Sequence, residues 1–343
     1  MIFPPNVVLE LTYKCNHRCL FCSCPWENKS SMYNQGEELN VDQWKKAIEI
    51  LLNCGVEVFS ISGGEAIIKD GAKEIISFIR ESLSARHIDS EIILISNGLN
   101  LSADWLKFFK KEKVHLSISL PGLKTFSKHT GVENVNGVLN WFTYAKSLGL
   151  QTTANITVTK LNLHELKETI ASALLNGASD ILLNRFLPGG RGLSYMKDLM
   201  ISTKDLNQML EDAEYVLSLA NRYGNTGTEI PLCSIDNPTK YKHLHISYKC
   251  AAATGFFVVG PSGEIRTCNH SPRIVGHISY PDIITDWEYW NKFANDEINI
   301  TECNGCLGNI ICSCGCREVA HILLSDITNT DPSIDLTHKN LYS

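Results

Sequence analysis

"VVLELTYKCNHRCLFC", residues 7–22, joins a predicted strand to three closely spaced cysteines. Val7 to Leu11 is apolar and β-branched, which predicts a first strand. The loop after it carries Cys15, Cys19 and Cys22 in the spacing C-x3-C-x2-C, so three thiols can reach three irons of one [4Fe–4S] cluster. Because such clusters normally take four thiolates, one iron would stay open for reaction. Structural zinc is the alternative, although zinc knuckles usually pair two C-x2-C hooks and this loop has one.

The chain beyond this loop alternates strand and helix patterns as far as residue 187. A helix capped by Asn40 and ended by Gly55 precedes the strand 56–62, and the same order then repeats. Six such units predict a parallel sheet with helices outside it, short of the eight units that close a barrel. The predicted fold class is therefore α/β, a partial (βα)6 barrel with a small cysteine-rich C-terminal α+β cluster-binding domain.

The alternation stops after Gly224. "FFVVGPSGEIRTC", residues 256–268, has a Pro-Ser-Gly turn between apolar runs and predicts a hairpin. Residues 281–296 and 317–325 are predicted to be helical. We place the boundary near 224–232, which gives a barrel domain over residues 1–228 and a cluster domain over residues 229–343.

Composition excludes several classes of protein. Of 343 residues 44% are hydrophobic, so the chain is globular. The net charge is −6 and no run of five like charges occurs, which argues against a nucleic-acid surface. No apolar stretch reaches about 18 residues and the start lacks the features of a signal peptide, so we expect a cytoplasmic protein without a membrane partner. Thirteen cysteines, mostly clustered, are expected to be metal ligands in such a compartment.

Two further motifs point to the same chemistry. Gly63, Gly64 and Glu65 follow the second strand, at the end where parallel barrels carry their active sites. A second field of cysteines lies near the C-terminus, with a glycine five residues before its second member: Cys250, Cys268, Cys303, Cys306, Cys312, Cys314 and Cys316.

These motifs resemble a known family. The C-x3-C-x2-C loop, the Gly-Gly-Glu turn and the six βα units resemble the radical S-adenosylmethionine (SAM) superfamily over about residues 6–220. The second cysteine field resembles the SPASM extension of such enzymes over about residues 230–325. A zinc ribbon is the alternative for that field.

The resemblance implies a chemistry. In this family the open iron is chelated by the amino and carboxylate groups of SAM. An electron from the cluster then cleaves the sulfonium and gives a 5′-deoxyadenosyl radical, which takes hydrogen from the substrate. The cofactors carry the chemistry, and the protein binds, orients and excludes water. A reducing partner, flavodoxin or ferredoxin, is also implied.

The family likeness also assigns roles around SAM. Gly63, Gly64 and Glu65 would hold the methionine amine. The remaining candidates are Phe21 against adenine, Asn97, Ser117 and Ser119 at ribose or carboxylate, and Arg185 at the methionine carboxylate. A packing aromatic is the alternative for Phe21, and polar filling of the barrel interior is the alternative for the two serines.

SPASM domains usually carry two auxiliary [4Fe–4S] clusters. By family correspondence the first would use Cys250, Cys268 and Cys316, and the second would use Cys303, Cys306 and Cys312. The sequence departs from the pattern because residues 317–343 hold no cysteine and Cys314 is additional. Either Cys314 closes the second cluster, or that cluster has an open or non-cysteine site.

Two cysteines outside these patterns remain open. Cys233 is predicted to complete the first auxiliary cluster, with two alternatives: a hydrogen-atom donor to a substrate radical, or a buried apolar thiol. Cys24 lies outside the motif and is interpreted as an incidental apolar-shell thiol, with a role in the cluster as the alternative.

The resemblance does not fix the substrate. The leading hypothesis is modification of a ribosomally synthesised peptide, by crosslinking, thioether formation, epimerisation or oxidation. The barrel starts near residue 1, so we expect a separate peptide-recognition protein or binding by the barrel alone. The alternatives are oxidation or decarboxylation of a small molecule, such as a tetrapyrrole side chain or an aminoglycoside, and an iron–sulfur electron-transfer or scaffold protein.

Overall fold

The computed structural model describes residues 3–28 and 33–332. One eleven-stranded sheet runs through them, in the order β11-β10-β9-β1-β2-β3-β4-β5-β6-β7-β8. Its strands are β1 (Asn6–Glu10), β2 (Val58–Ser62), β3 (Ile92–Ser96), β4 (Val114–Ser119), β5 (Thr152–Val158), β6 (Asp180–Arg185), β7 (Gly224–Thr226), β8 (Leu244–His245), β9 (Phe256–Val259), β10 (Glu264–Arg266) and β11 (Gly276–His277).

Ten α-helices connect or follow these strands in the described part of the chain. They are α1 (Val41–Asn53), α2 (Ala72–Ala85), α3 (Ala103–Lys111), α4 (Phe126–Thr130), α5 (Val135–Ser147), α6 (Leu166–Leu175), α7 (Met196–Leu199), α8 (Thr203–Ala220), α9 (Trp287–Ala294) and α10 (Arg317–Leu324). The start of α1 confirms its predicted cap: the Asn40 side chain accepts a hydrogen bond from the Gln43 backbone N–H at 3.0 Å. None of the described helices is both long and apolar enough to cross a bilayer.

The first six strands confirm the predicted partial barrel. β1 to β6 pair in parallel and in chain order, from Asn6 opposite Val58 to Val158 opposite Arg185. The free side of β1 is occupied by β9 rather than by β6, so the barrel does not close. The carboxyl ends of all six strands therefore lie along one rim, which is where the cluster loop and the Gly-Gly-Glu turn follow β1 and β2.

The two faces of the barrel sheet have different chemistry. Alternate residues of β5, namely Ala154, Ile156 and Val158, are fully buried, and their burial stabilises the fold. The residues between them, Thr153, Asn155 and Thr157, are only half-buried. Because neighbouring side chains of a strand point to opposite faces, the second set lines the concave side. The barrel interior is therefore polar and partly open.

The C-terminal segment continues the barrel sheet. β9 and β10 form the predicted hairpin, with Ile265 opposite Val259. The buried Arg266 guanidinium on β10 forms an ion pair with Glu10 at the end of β1. α10 matches its prediction, whereas α9 begins only at Trp287, where the Asp286 carboxylate accepts from the Tyr289 N–H at 3.2 Å.

Candidate active site and auxiliary cysteine groups

The loop with Cys15, Cys19 and Cys22 is held at the barrel rim by backbone hydrogen bonds. The Arg18 N–H donates to the Thr130 carbonyl at 2.9 Å, and the Leu20 N–H donates to the His129 carbonyl at 2.8 Å, so the loop is docked on α4. The pKa values of the Cys15 and Cys19 thiols are raised, mainly by burial. The negative charge of Cys22 also raises both pKa values, and the Cys15 and Cys19 sulfurs both contact His17, at 3.4 Å from its backbone N and 3.9 Å from its Nδ1. A cationic group bound among them would stabilise their thiolates.

Gly63 and Gly64 lie where two chain segments pass so close to each other that a side chain would not fit between them. The Gly64 N–H donates to the Thr12 carbonyl at 2.7 Å, and the Glu65 N–H donates to the Lys14 carbonyl at 2.8 Å. A Cβ on Gly64 would overlap the Lys14 carbonyl oxygen, and Gly63 has φ +133°, a conformation that favours glycine. The turn thus holds the segment that leads directly into Cys15.

Glu65 lies under this loop with 2% of its surface exposed. Its carboxylate accepts from the Ser96 hydroxyl and from the Asn97 backbone N–H, each at 2.8 Å, and burial raises its pKa to about 7. The Asn97 side-chain amide lies 3.8 Å from the Cys15 sulfur and donates to the Asn16 amide oxygen at 2.6 Å. The structure therefore brings Glu65 and Asn97 to the cluster loop, as predicted, and links the ends of β2 and β3.

Sequence reasoning missed a third support of the loop, at residues 189–192. The Arg191 guanidinium donates to the Cys19 carbonyl at 3.2 Å and forms an ion pair with Glu27. A Cβ on Gly190 would overlap the Cys24 carbonyl oxygen, and the Gly192 N–H donates to the Cys22 carbonyl at 3.0 Å. The signal was present in the Gly-Gly-Arg-Gly sequence, because paired glycines often mark a close backbone approach.

Cys24 is closer to the motif than an incidental thiol would be. Its thiol hydrogen-bonds to Cys22, which lowers the pKa of Cys22 and raises that of Cys24. The Cys24 sulfur also lies 3.9 Å from the Gly63 carbonyl oxygen. The fourth thiol therefore packs between the cluster loop and the glycine turn.

The remaining candidates near the rim are one aromatic residue in the cluster loop and two serines on the concave face of the sheet. The Phe21 ring packs against His129 with centroids 5.8 Å apart, and both are at the base of the cluster loop. Ser117 and Ser119 lie on β4, opposite Thr153 and Asn155 of the polar concave face. The buried Ser117 hydroxyl has no hydrogen-bond partner within the described residues, which fits a polar ligand bound in the barrel.

Arg185 is directed elsewhere. Its guanidinium is 3% exposed and pairs with Asp331 at 2.6 Å, while its Nε donates to the Glu229 carbonyl at 3.1 Å. The physical reason is burial, since a fully desolvated guanidinium needs an anionic partner close by. In the structure Arg185 contacts the C-terminal segment, and its contact with the methionine carboxylate stays a prediction.

The second cysteine field divides into two groups. In the first, the Cys250, Cys268 and Cys316 thiols have pKa values raised chiefly by burial, and the negative charges of Cys250 and Cys268 act on Cys316. The Cys316 N–H donates to the Asp331 carboxylate at 2.8 Å. Among charged groups, Glu229 has the largest effect on the pKa values of Cys250 and Cys316, so its carboxylate lies near this group.

The second group contains Cys233, the cysteine that was predicted to complete the first. Burial raises the pKa of the Cys233 thiol to about 11, and the charges that raise it further are those of Cys312, Cys303 and Cys306. The reason is the short helix Leu232–Ser234, whose Leu232 backbone N–H hydrogen-bonds to the Cys312 sulfur. Cys233 therefore lies with the second group and not with Cys250.

Cys314 belongs to the same second group. Its thiol hydrogen-bonds to Cys303, and its backbone N–H lies 3.3 Å from the Cys312 sulfur. With Cys233 and Cys306 the group has five thiols, one more than a cubane takes. Among the described residues, no three His, Cys, Asp or Glu side chains converge on a point that suits a single metal ion. A cubane presents a separate iron to each thiolate and needs a wider set of ligands.

Comparison with known proteins agrees with the geometry of the rim. The model of the Radical SAM superfamily matches residues 9–173, which include the cluster loop, the Gly-Gly-Glu turn and β2 to β5. The chain contains a radical SAM domain over residues 9–173. It is therefore an enzyme that uses SAM and a [4Fe–4S] cluster, which confirms the family predicted from the sequence.

Relatives of this radical SAM enzyme extend over the whole chain. It is 26% identical over 361 residues to the PqqA peptide cyclase of Bradyrhizobium diazoefficiens, covering 99% of this chain and 88% of the cyclase. It is 20% identical to the AdoMet-dependent heme synthase of Nitratidesulfovibrio vulgaris, covering 95% and 90%. The crystal structure of Streptococcus suis SuiB bound to precursor peptide SuiA superposes with a TM-score of 0.74 at 15% identity, covering 99% and 77%. This last likeness supports the α/β partial-barrel fold.

Proposed function

We propose that this enzyme modifies a ribosomally synthesised peptide by abstracting hydrogen from it. The observation that carries the proposal is the match to a peptide cyclase over 99% of the chain, which includes the C-terminal cysteine field as well as the barrel. The polar, half-buried concave face supports it, because an extended peptide backbone needs hydrogen-bonding groups along the surface that binds it.

The residues at the rim have separate tasks in this proposal. Cys15, Cys19 and Cys22 hold a [4Fe–4S] cluster, which with SAM supplies the radical that takes hydrogen from the substrate. Glu65 and the Gly63–Gly64 turn accept the methionine amine and keep the cluster loop in place. The unpartnered Ser117 hydroxyl, with Ser119 and Asn97 nearby along the rim, hydrogen-bonds to the bound SAM, and Phe21 packs against its adenine.

The C-terminal cysteines hold two auxiliary clusters. Cys250, Cys268 and Cys316 are ligands of the first, and the second takes four of the five thiols described above. In this arrangement Cys233 is a ligand or neighbour of the second cluster. This position disfavours the alternative role of Cys233 as a hydrogen-atom donor. Clustered reduced thiols fit a reducing compartment, and a flavodoxin or ferredoxin would supply the electron. A separate recognition protein would present the peptide.

A test of the function first searches beside the gene for a short open reading frame that encodes a candidate precursor peptide, and then uses that peptide. The reduced enzyme is incubated with SAM and the peptide carrying deuterium at its side chains. We expect deuterium to appear in 5′-deoxyadenosine and the peptide to change in mass or in chirality. Cys15→Ala is the control and should do neither. 5′-Deoxyadenosine without deuterium, with an unchanged peptide, would contradict the proposal, and turnover of a porphyrin instead would favour the tetrapyrrole alternative.

A further inference from the structure

The first auxiliary group has three cysteines and lacks a fourth. Cys250, Cys268 and Cys316 come together, while Cys233, the cysteine predicted to complete them, lies with the other group. A [4Fe–4S] cluster there would have one iron without a thiolate from the described part of the chain. The group that fills this position must come from another type of side chain or from a bound molecule.

Glu229 has the properties of the missing ligand. Its Oε1 atom is buried and has no hydrogen-bond partner within the described residues. A buried carboxylate oxygen without a donor is costly, and each such atom in a native fold needs an explanation. Iron is a suitable partner because carboxylates are common ligands of iron in proteins.

A chain of contacts holds the backbone of Glu229 beside this group. The Arg185 Nε donates to the Glu229 carbonyl at 3.1 Å, and the Arg185 Nη2 pairs with Asp331 at 2.6 Å. The same Asp331 oxygen accepts the Cys316 N–H at 2.8 Å. Asp331 forms the direct ion pair with the guanidinium, while the Glu229 charge acts on the guanidinium and on the thiols of Cys250 and Cys316, so the carboxylate lies between these groups.

We propose that Glu229 is the fourth ligand of the first auxiliary cluster, through its carboxylate. The inference rests on the proposed assignment of Cys250, Cys268 and Cys316 to that cluster. It makes the two auxiliary clusters chemically different, since the second has cysteine thiols in excess. The step involves no net redox change: a carboxylate oxygen binds the iron in place of a water molecule, which is released to solvent.

Glu318 provides a matched control. It is also buried, and its charge acts on the Cys268 thiol of the same group. Its oxygens, however, accept hydrogen bonds from the Thr267 hydroxyl at 3.0 Å and from the Tyr289 hydroxyl at 3.0 and 3.1 Å. Glu318→Gln therefore removes a nearby charge without removing a ligand.

The test uses full-length protein with Cys15→Ala, Cys19→Ala and Cys22→Ala, so that only auxiliary clusters contribute to the spectrum. The protein is labelled with 13C at the glutamate carboxyls, reconstituted, reduced and examined by pulsed electron paramagnetic resonance. We expect a 13C coupling that is lost in Glu229→Gln and retained in Glu318→Gln. No coupling in the protein with native Glu229 would overturn the proposal, whether or not the Gln variant folds. Loss of coupling in Glu318→Gln alone would overturn it too.

These measurements need no substrate. Failure of the peptide assay with an intact 13C coupling would therefore reject the proposed substrate and leave the ligand assignment standing. Conversion of the peptide by the native enzyme, together with no 13C coupling, would support the proposed substrate and reject Glu229 as a ligand.

Discussion

The cluster loop at the barrel rim and the C-terminal cysteine field hold their thiols in different ways. The loop is positioned mainly by backbone contacts, with the Gly63–Gly64 turn on one side and α4 on another, and one side chain, Arg191, supports it on a third. In the C-terminal field, buried carboxylates hold the segments that carry the thiols: Asp331 accepts from the Cys316 N–H, and Glu318 accepts from the hydroxyl of Thr267, next to Cys268. The rim cysteines are also close in sequence, whereas Cys250 and Cys316 are far apart.

This difference teaches which part of a cluster enzyme tolerates change. A backbone cradle fixes the geometry of a short loop and leaves one iron without a protein ligand, as the binding of SAM requires. When distant segments supply the ligands, one cysteine can take the place of another. The position of Cys233 in the second group and the additional Cys314 agree with this. Substitutions in the rim should therefore affect catalysis most, and substitutions in the C-terminal field should affect individual clusters.

The largest expected effect is that of Cys15→Ala. Removing one of three thiolates leaves the rim cluster with two, so formation of 5′-deoxyadenosine should fall to background. Cys54→Ala is the control, because Cys54 caps the end of α1 and takes no part in the cysteine groups. Liquid chromatography of the reduced reaction measures both, and a Cys15→Ala enzyme that retains activity would break the assignment of the rim.

Gly64→Ala should come next. The added Cβ would overlap the Lys14 carbonyl oxygen, so the segment before Cys15 must move. We expect at least a tenfold loss in the rate of SAM cleavage, equivalent to about 1.4 kcal/mol in the barrier. In Gly255→Ala the nearest atom is the Ala251 Cβ at 3.2 Å, so that control should stay near the native rate. Equal rates for both variants would show that the turn does not position the loop.

Much of the rim was predictable from sequence because its determinants are local. The alternation of strands and helices, the Asn40 cap and the C-x3-C-x2-C loop all depend on neighbouring residues. The partners of Arg185 and Cys233 were not predictable, since they are chosen by packing between segments distant in sequence. Asp331 lies 146 residues from Arg185, and no periodicity reports such a pairing.

Arg191→Ala should have a smaller effect. It removes the hydrogen bond to the Cys19 carbonyl and the ion pair with Glu27, both largely shielded from solvent. We expect a loss of about 2 kcal/mol in the free energy of unfolding, as for hydrogen bonds to charged groups. Chemical denaturation under anaerobic conditions measures it. Arg273→Ala, at a more exposed pair with Asp286, is the control and should change stability by less.

The smallest effect concerns pH. The His129 side chain is buried, which lowers its pKa below the ordinary 6.5, and its Nε2 lies 2.8 Å from the Thr159 hydroxyl. Below about pH 6.5 the unfolded chain binds a proton that the folded chain does not, so stability falls as pH falls. His129→Gln should flatten this part of the stability profile. An identical slope in the variant would assign the acid sensitivity to other groups.

The central claim is that the cysteines form one rim group and two C-terminal groups. The iron content of three triple variants tests it most directly. The variants replace by alanine the cysteines 15, 19 and 22, then 250, 268 and 316, then 303, 306 and 312. The native enzyme should hold about twelve irons and each variant about four fewer, as expected for three cubanes. Only the first variant should lose all SAM cleavage. A native enzyme with about four irons, or a first variant that still cleaves SAM, would contradict the account.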